Sequence, residues 1–214
     1  MKYGKISLSL GSRPAFGLGS TFKTAVAAMA GLVGTASFAV ADVETFEIDP
    51  AHSNIGFKIK HLFTYVSGRF DEVQGTLVID PEKPETASVK VTIPAKSINT
   101  GVKMRDDHLR GADFFDVEKY PTISYVSKSV KRTGENTADV EGDLTLHGVT
   151  RPVPLKVTFQ GKGPGMQGET RSGWQAVGKL KRSDFGMTWS KAIEGTALVG
   201  DEVEIVIDVE AVKK

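Results

Sequence analysis

Ser53-Asn54-Ile55-Gly56-Phe57-Lys58-Ile59-Lys60-His61 decides the fold class. Ser53, Ile55, Phe57, Ile59 and His61 fall on one face, and Asn54, Gly56, Lys58 and Lys60 on the other. A period of two is what a β-strand requires when one side is buried and the other meets water. The same pattern recurs down the chain with almost no competing helical period, which predicts a sheet closing around an apolar interior.

About eight such segments are legible from Phe46 onward. Phe46 to Asp49 leads through Pro50 into the quoted strand, and a second segment, about Val66 to Ile79, contributes Phe70 and Leu77 and contains Gly68 and Gly75. Glycines within a strand mark bulges or the sharp bends a barrel needs at its corners. Val89, Val91 and Ile93 define the third inward face, Ile123 and Tyr125 the fourth, and Val140, Leu144 and Leu146 the fifth. Val153, Leu155 and Val157 define the sixth, Trp174, Ala176 and Leu180 the seventh, and Val203, Ile205, Ile207 and Val209 the last. Arg132–Asn136 and His147–Pro152 read as hairpin turns. The single helical stretch is Val102–Arg110, with Asn99 or Thr100 as cap and Gly111 as stop. Eight antiparallel strands in one domain predict an all-β closed barrel, which leaves no sheet edge. At that strand number the interior is either filled by side chains or holds one small apolar ligand. Alternation identifies the inside without showing whether it is hollow.

The first 41 residues stand apart from this pattern. Their only charges are Lys2, Lys5, Arg13 and Lys23, followed by an apolar stretch from Ala25 that ends in Ala39-Val40-Ala41. A basic start, an apolar middle and a small-residue exit describe a secretory signal cleaved after Ala41. Gly31, Gly34, Thr35 and Ser37 interrupt the apolar part, arguing against a permanent anchor. Without an Arg-Arg pair the route is the general secretory one, and without cysteine there is no lipoprotein acylation. Removing the four leader cations from 27 leaves 23 basic against 26 acidic residues over 42–214, a net charge of −3. That average gives no footprint for nucleic acid or for an anionic membrane surface. Zero cysteines exclude a disulfide framework, a thiol nucleophile and a thiolate metal site.

Taken together, several words make the chain resemble the YceI-like family of lipocalin-like, polyisoprenoid-binding proteins. They include Asp49-Pro50-Ala51-His52-Ser53, Phe57-Lys58-Ile59-Lys60-His61 and Gly68-Arg69-Phe70. Arg105-Asp106-Asp107-His108-Leu109, Phe114-Phe115-Asp116 and Tyr120-Pro121-Thr122-Ile123 continue the series. Gly142–Thr150 and Arg182-Ser183-Asp184-Phe185-Gly186 complete it. The resemblance implies an eight-stranded antiparallel lipocalin-like barrel with one short helix over 42–214. It also implies a periplasmic location and a long isoprenoid lipid, such as a polyprenyl phosphate or isoprenoid quinone, held inside. It leaves a homodimer open.

On that reading sixteen inward residues bind the lipid: Ile55, Phe57, Ile59, His61, Phe70, Leu77, Val89, Val91, Ile93, Ile123, Tyr125, Leu144, Leu146, Leu155, Val157 and Trp174. The alternative for each is packing against its neighbours. His61 stands at a channel mouth as a headgroup contact or is a hydrogen-bonded structural histidine. Arg105, Asp106 and His108 form either a headgroup or catalytic cluster or, as charge clusters usually do, a network fixing the helix. Arg182 and Asp184 read as a structural ion pair. His52, His61, His108 and His147 show no metal-ligand spacing, so no metal and no cofactor beyond a lipid is expected. Gly163-Pro164-Gly165-Met166-Gln167-Gly168 matches a dinucleotide fingerprint literally, but strands flank it and Pro164 interrupts it, so it is a hairpin loop. The expected function is carriage of an isoprenoid lipid rather than catalysis. An enzyme acting on a lipid or quinone, and a ligand-free stress-related interaction module, are the rivals.

Overall fold

The computed structural model describes residues 42–190, 192–193 and 196–214, so the expected leader lies outside the described residues. In chain order the elements are β1 (Glu44–Ile48), β2 (Asn54–His61), β3 (Thr64–Phe70), β4 (Gln74–Ile79), β5 (Ser88–Pro94) and β6 (Ile98–Asn99). The helix α1 (Lys103–Arg110) follows, then β7 (Thr122–Arg132), β8 (Thr137–Leu146), β9 (Val149–Pro164) and β10 (Thr170–Lys181). A two-residue hairpin, β11 (Ala192–Ile193) and β12 (Thr196–Ala197), precedes the long β13 (Val199–Lys213).

Strands β1, β4, β5, β7, β8, β9, β10 and β13 are hydrogen-bonded in that order, and β13 pairs back with β1 to close an antiparallel eight-stranded ring. Register sets the inward residues side by side. Leu77 lies opposite Val89, Val91 opposite Tyr125, and Tyr125 opposite Leu144. Ala176 stands between Val157 and Ile207, and Ile207 faces Ile55, which in turn faces Phe70. A slip of one residue would turn each of these faces outward, so burial and register fix each other.

One end of the ring is built differently. β13 pairs with β2 from Val199 to Asp208 and with β1 from Ala211 to Lys213, so two strands share one edge end to end. Pro50 starts a 3-10 turn at the break, capped by Asp49, whose Oδ1 accepts from Ala51 N at 3.0 Å. Ser53 Oγ donates to Asp49 O at 2.7 Å and accepts from Glu210 N at 3.2 Å, stitching the gap. The segment expected as one strand from Val66 to Ile79 is likewise two. The break falls at Asp71–Val73, not at either glycine; β3 pairs with β2, and β4 with β1 and β5. Gly68 and Gly75 instead accept close neighbours. A Cβ at Gly68 would sit 2.4 Å from Phe57 Cζ, and one at Gly75 would lie 2.7 Å from Ile48 Cδ1.

Beyond β3 only β6 follows, and it covers Arg69 and Phe70 alone. Among the described residues the Thr64–Gly68 edge therefore has no strand partner besides β2. Thr100 packs there, with Cγ2 2.9 Å from the Cβ position of Gly68, and α1 follows it. Val102, not Asn99 or Thr100, is the N-cap of α1, and it offers no side-chain acceptor. Asp106 instead ties the helix to the segment before it, accepting from Thr100 N and Thr100 Oγ1 at 2.9 and 2.5 Å. Arg110 ties the other end down by donating to Lys96 O and Ile98 O, both at 2.8 Å. Gly111 ends the helix as expected.

The turn expected over His147–Pro152 is tighter than that. His147 and Gly148 take it alone, with φ of 51° and 73°, and β9 resumes at Val149. Positive φ at both central residues suits a two-residue hairpin. His147 Nδ1 donates to Phe185 O at 3.0 Å. The 163–168 glycine run is the end of β9 and the turn into β10, closed by Gly165 N on Glu169 O.

Candidate functional site

Two cavities occupy the barrel. The first, about 510 Å³, lies within the closed ring, and the second, about 330 Å³, lies between β2, β3, β13 and α1. Both fall within the range of pockets that take small ligands, about 300–1,000 Å³. Five side chains, Ile55, Ile93, Leu144, Ile205 and Ile207, border both, so the cavities meet at one apolar wall.

All sixteen residues picked out by inward alternation stand on these walls. Leu77, Val89, Val91, Tyr125, Leu155, Val157 and Trp174 line the first cavity. Phe57, Ile59, His61, Phe70, Ile123 and Leu146 line the second, and Ile55, Ile93 and Leu144 line both.

Inside the first cavity the polar handles are already engaged. Tyr125 Oη donates to Val153 O at 3.2 Å, and burial raises its pKa to about 12, so it stays neutral. Trp174 Nε1 donates to the buried Ser172 Oγ at 3.0 Å. Charges appear only among mouth residues such as Arg132 and Glu135, or paired, as in Glu44 with Lys162 and Lys213 at 2.8 and 2.9 Å. Hydrogen bonds from those two lysines lower the Glu44 pKa. What this cavity offers a ligand is hydrocarbon.

The second cavity differs in the sign of its charged lining. His61, Arg105, His108 and Arg182 line it, and no Asp or Glu does. Arg182 is 6% exposed, and burial lowers its pKa from the usual arginine value. It donates from Nε to Gly200 O at 2.8 Å and from Nη1 to Met187 O and Trp189 O at 2.9 and 2.7 Å. The expected pair with Asp184 does not form, because backbone carbonyls satisfy the guanidinium instead; Asp184 gives only its backbone O, to Arg151. Arg105 donates from Nε to Thr100 Oγ1 at 2.7 Å and from Nη2 to Thr100 O at 2.9 Å. A guanidinium has five N–H donors, so Nη1 of Arg105 and Nη2 of Arg182 remain unspent within the described residues. His108 marks the mouth. Its side chain is 49% exposed, its Nε2 pairs with Asp113 at 3.0 Å, and its ring packs edge-on against Phe114 and Trp189.

Of the cluster expected on the helix, Arg105 and His108 thus reach the cavity with His61, while Asp106 is buried behind them on Thr100. Alternation overlooked Arg182, although continuing it one step past Leu180 puts position 182 inward. Met187, Trp189 and Leu198 also line the second cavity, from a stretch with no period to betray them.

Asp49, His52 and Glu210 bring ligand atoms within 4.8 Å of one another. Arg171 already supplies the cation, with Nη1 2.8 Å from Asp49 Oδ2 and in contact with Glu210. The cluster is a strand clamp. Among the described residues, no helix is long and apolar enough to cross a membrane.

A closed antiparallel barrel with an apolar interior and a short helix at one end defines a lipocalin-like protein. Residues 46–211 match the family model described as YceI-like domain, and the chain belongs to that family. A UPF0312 protein of Pseudomonas putida (strain W619) is 41% identical over 164 residues, which cover 76% of this chain and 82% of that one. The Campylobacter jejuni YCEI protein superposes with a TM-score of 0.64 at 34% identity, over 78% of this chain and 96% of that one. A polyisoprenoid binding domain from Saccharophagus degradans shares the fold with a TM-score of 0.60 at 18% identity, over 79% and 98% of the two chains.

Proposed function

We propose that this protein is an exported, periplasmic carrier that holds one long-chain isoprenoid lipid across both cavities. The tail lies in the first cavity, and an acceptor-bearing head, as of a polyprenyl phosphate or isoprenoid quinone, lies in the second. The observation that carries this reading is an apolar path through two cavities that share a wall, with the buried Arg182 guanidinium and Arg105 lining the second. A buried hydrocarbon contributes roughly 0.8 kcal/mol per methylene, which offsets the cost of ordering a flexible chain. Guanidinium groups suit a phosphate and equally donate to quinone carbonyls. The polyisoprenoid-binding description of the Saccharophagus degradans domain agrees with the chemistry of this interior.

Binding is favoured over catalysis because Arg105 is held by Thr100 and His108 by Asp113, while Asp106 points away from the cavity. The test is native mass spectrometry of the purified protein, then organic extraction. One isoprenoid per chain, recovered chemically unchanged after long incubation, is expected. A protein that carries none and refuses added polyprenyl phosphate and quinone overturns the carrier reading. Conversion of the added lipid replaces it with an enzyme. N-terminal sequencing beginning at Asp42 is the expected sign of export.

A further inference from the structure

The rim of the second cavity presents apolar side chains outward. The two-residue turn between β2 and β3 follows His61 and holds Leu62 at φ 49°, which projects Phe63 into solvent at 93% exposure. Tyr65 beside it is 57% exposed. Across the same cavity, Thr100 and Arg105 bracket Val102 and Met104, which are 45% and 82% exposed. The turn and the helix are linked through shared walls: Leu62 N donates to Leu198 O, and Leu198, His61 and Arg105 all line this cavity. Among the described residues eight large apolar side chains are strongly exposed, and four of them belong to this rim; Val43, Val126, Met166 and Val177 are spread over other elements.

The charge of the β2–β3 half of the rim runs against that of the body, while on the α1 half Asp107 pairs with Lys103 and Arg110, and Asp113 with His108. Residues 54–70 carry Lys58, Lys60 and Arg69 and no Asp or Glu, whereas residues 42–214 carry a net charge of −3. Lys58 and Lys60 are exposed on the outer face of β2. Arg69 pairs with Asp71 and Lys58 faces Glu204 across the sheet, so the whole-chain average conceals an aromatic-tipped hairpin whose local positive charge is carried chiefly by Lys60 and, in part, Lys58. Protruding aromatic and apolar side chains among lysines match the boundary between anionic headgroups and acyl chains. A two-fold contact with a second copy would place one basic hairpin against another, which like charges oppose.

We infer that the β2–β3 turn and the start of α1 form a docking surface for an anionic phospholipid bilayer, setting the mouth of the second cavity against the lipid it loads from. The contact is peripheral and reversible. It takes its purpose from the carrier reading, but its measurement does not depend on it.

The test is co-sedimentation of the purified protein with vesicles of phosphatidylethanolamine and phosphatidylglycerol, beside vesicles of phosphatidylcholine alone. Binding to the anionic vesicles that weakens with added salt is expected. The double variant Phe63→Ser with Met104→Ser should partition about tenfold more weakly, and Lys58→Gln with Lys60→Gln should lose most of the salt dependence. Met166→Ser, at an exposed position lining neither cavity, is the control and should bind as the parent does. No binding by the parent, or equal binding by the Phe63/Met104 and Met166 variants, overturns the inference. A concentration-dependent dimer abolished by Phe63→Ser assigns the rim to a second copy and also overturns it. Lipid occupancy measured on the same samples separates the two ideas. Vesicle binding without cargo leaves the docking surface and removes the carrier, and cargo without vesicle binding does the reverse.

Discussion

The cavity lined by Leu77, Tyr125 and Trp174 is enclosed by an unbroken hydrogen-bonded ring, whereas the one lined by Phe57, Phe70 and Arg182 lies where β3 ends the sheet. In the first, most of the wall is strand whose register sets one apolar side chain beside the next, with the β4–β5 connection and the β7–β8 turn at its margin. Tyr125 and Trp174 there have their polar atoms paired. In the second, helix and irregular chain replace strand, and that backbone brings in arginine and histidine. The difference teaches that the regular part of the barrel supplies solvation for hydrocarbon. The irregular part supplies polarity and access.

The largest effect expected from this contrast comes from placing a carboxylate in each cavity. Leu77 is 6% exposed with no cation beside it on the cavity's inner wall. Leu77→Asp should therefore lower stability by about 3–5 kcal/mol, the cost of an unpaired buried charge, seen as a shift in the urea midpoint. Phe57→Asp faces the cavity that holds Arg105 and Arg182. It should cost about half as much stability yet abolish binding of lipid added in detergent micelles, where no bilayer docking is needed, while Lys58→Asp on the outer face leaves that binding nearly intact. Equal losses of stability from Leu77→Asp and Phe57→Asp would break the distinction between the cavities.

A second effect bears on whether one ligand spans both. Leu144 borders the two cavities, so Leu144→Trp should narrow the passage there. Overpacking costs about 1–3 kcal/mol of stability. Affinity for a long polyprenyl chain should fall about 100-fold, or roughly 2.7 kcal/mol, while a short prenyl chain binds as before. Equal losses for both lengths, measured by competition with a fluorescent lipid, would mean that a ligand occupies one cavity alone.

Much of the first cavity was legible in the sequence, because side-chain direction in a strand is tied to position and burial makes that position apolar. Val89, Val91 and Ile93 need no more than their alternation to be placed. Less of the second was legible. Arg182 belongs to a 3-10 turn, and its satisfaction by the carbonyls of Met187, Trp189 and Gly200 depends on how that turn folds back. The break at Asp71–Val73 was hidden because two strands in line read as one, and only their separate partners distinguish them. Whether the interior is hollow was not legible at all. That depends on the volume left between facing side chains, which no single strand encodes.

The arginines should separate stability from recognition. Arg105→Met keeps the aliphatic stem and removes the unspent donor, so affinity for a polyprenyl phosphate should fall about tenfold with little change in melting temperature. Arg182→Met also leaves the carbonyls of Gly200, Met187 and Trp189 without their donor. It should add a stability loss of about 2–3 kcal/mol. An Arg105→Met variant that binds the phosphate and the corresponding neutral polyprenol with unchanged preference would remove the head from this end.

The smallest effect concerns the seam where the ring passes into the open end. Asp49 lies at the break between β1 and β2, and hydrogen bonds from His52 and Arg171 hold its pKa at about 2, below the ordinary 3.8. A carboxylate with a depressed folded-state pKa contributes stability that is complete above its unfolded value and disappears as the pH falls through the folded one. The contribution is therefore full at neutral pH and is lost between about pH 4 and pH 2. Asp49→Asn should cost about 1 kcal/mol at pH 7, since Arg171 keeps Glu169 and Glu210 and partly exposed pairs are weak. The gap between parent and variant should close as the solution is acidified through that window. Both proteins should unfold in one transition with the same denaturant slope, because β13 runs through both regions and couples them. A second transition in the variant would mean that the closed ring and the open end fold as separate units joined at this seam.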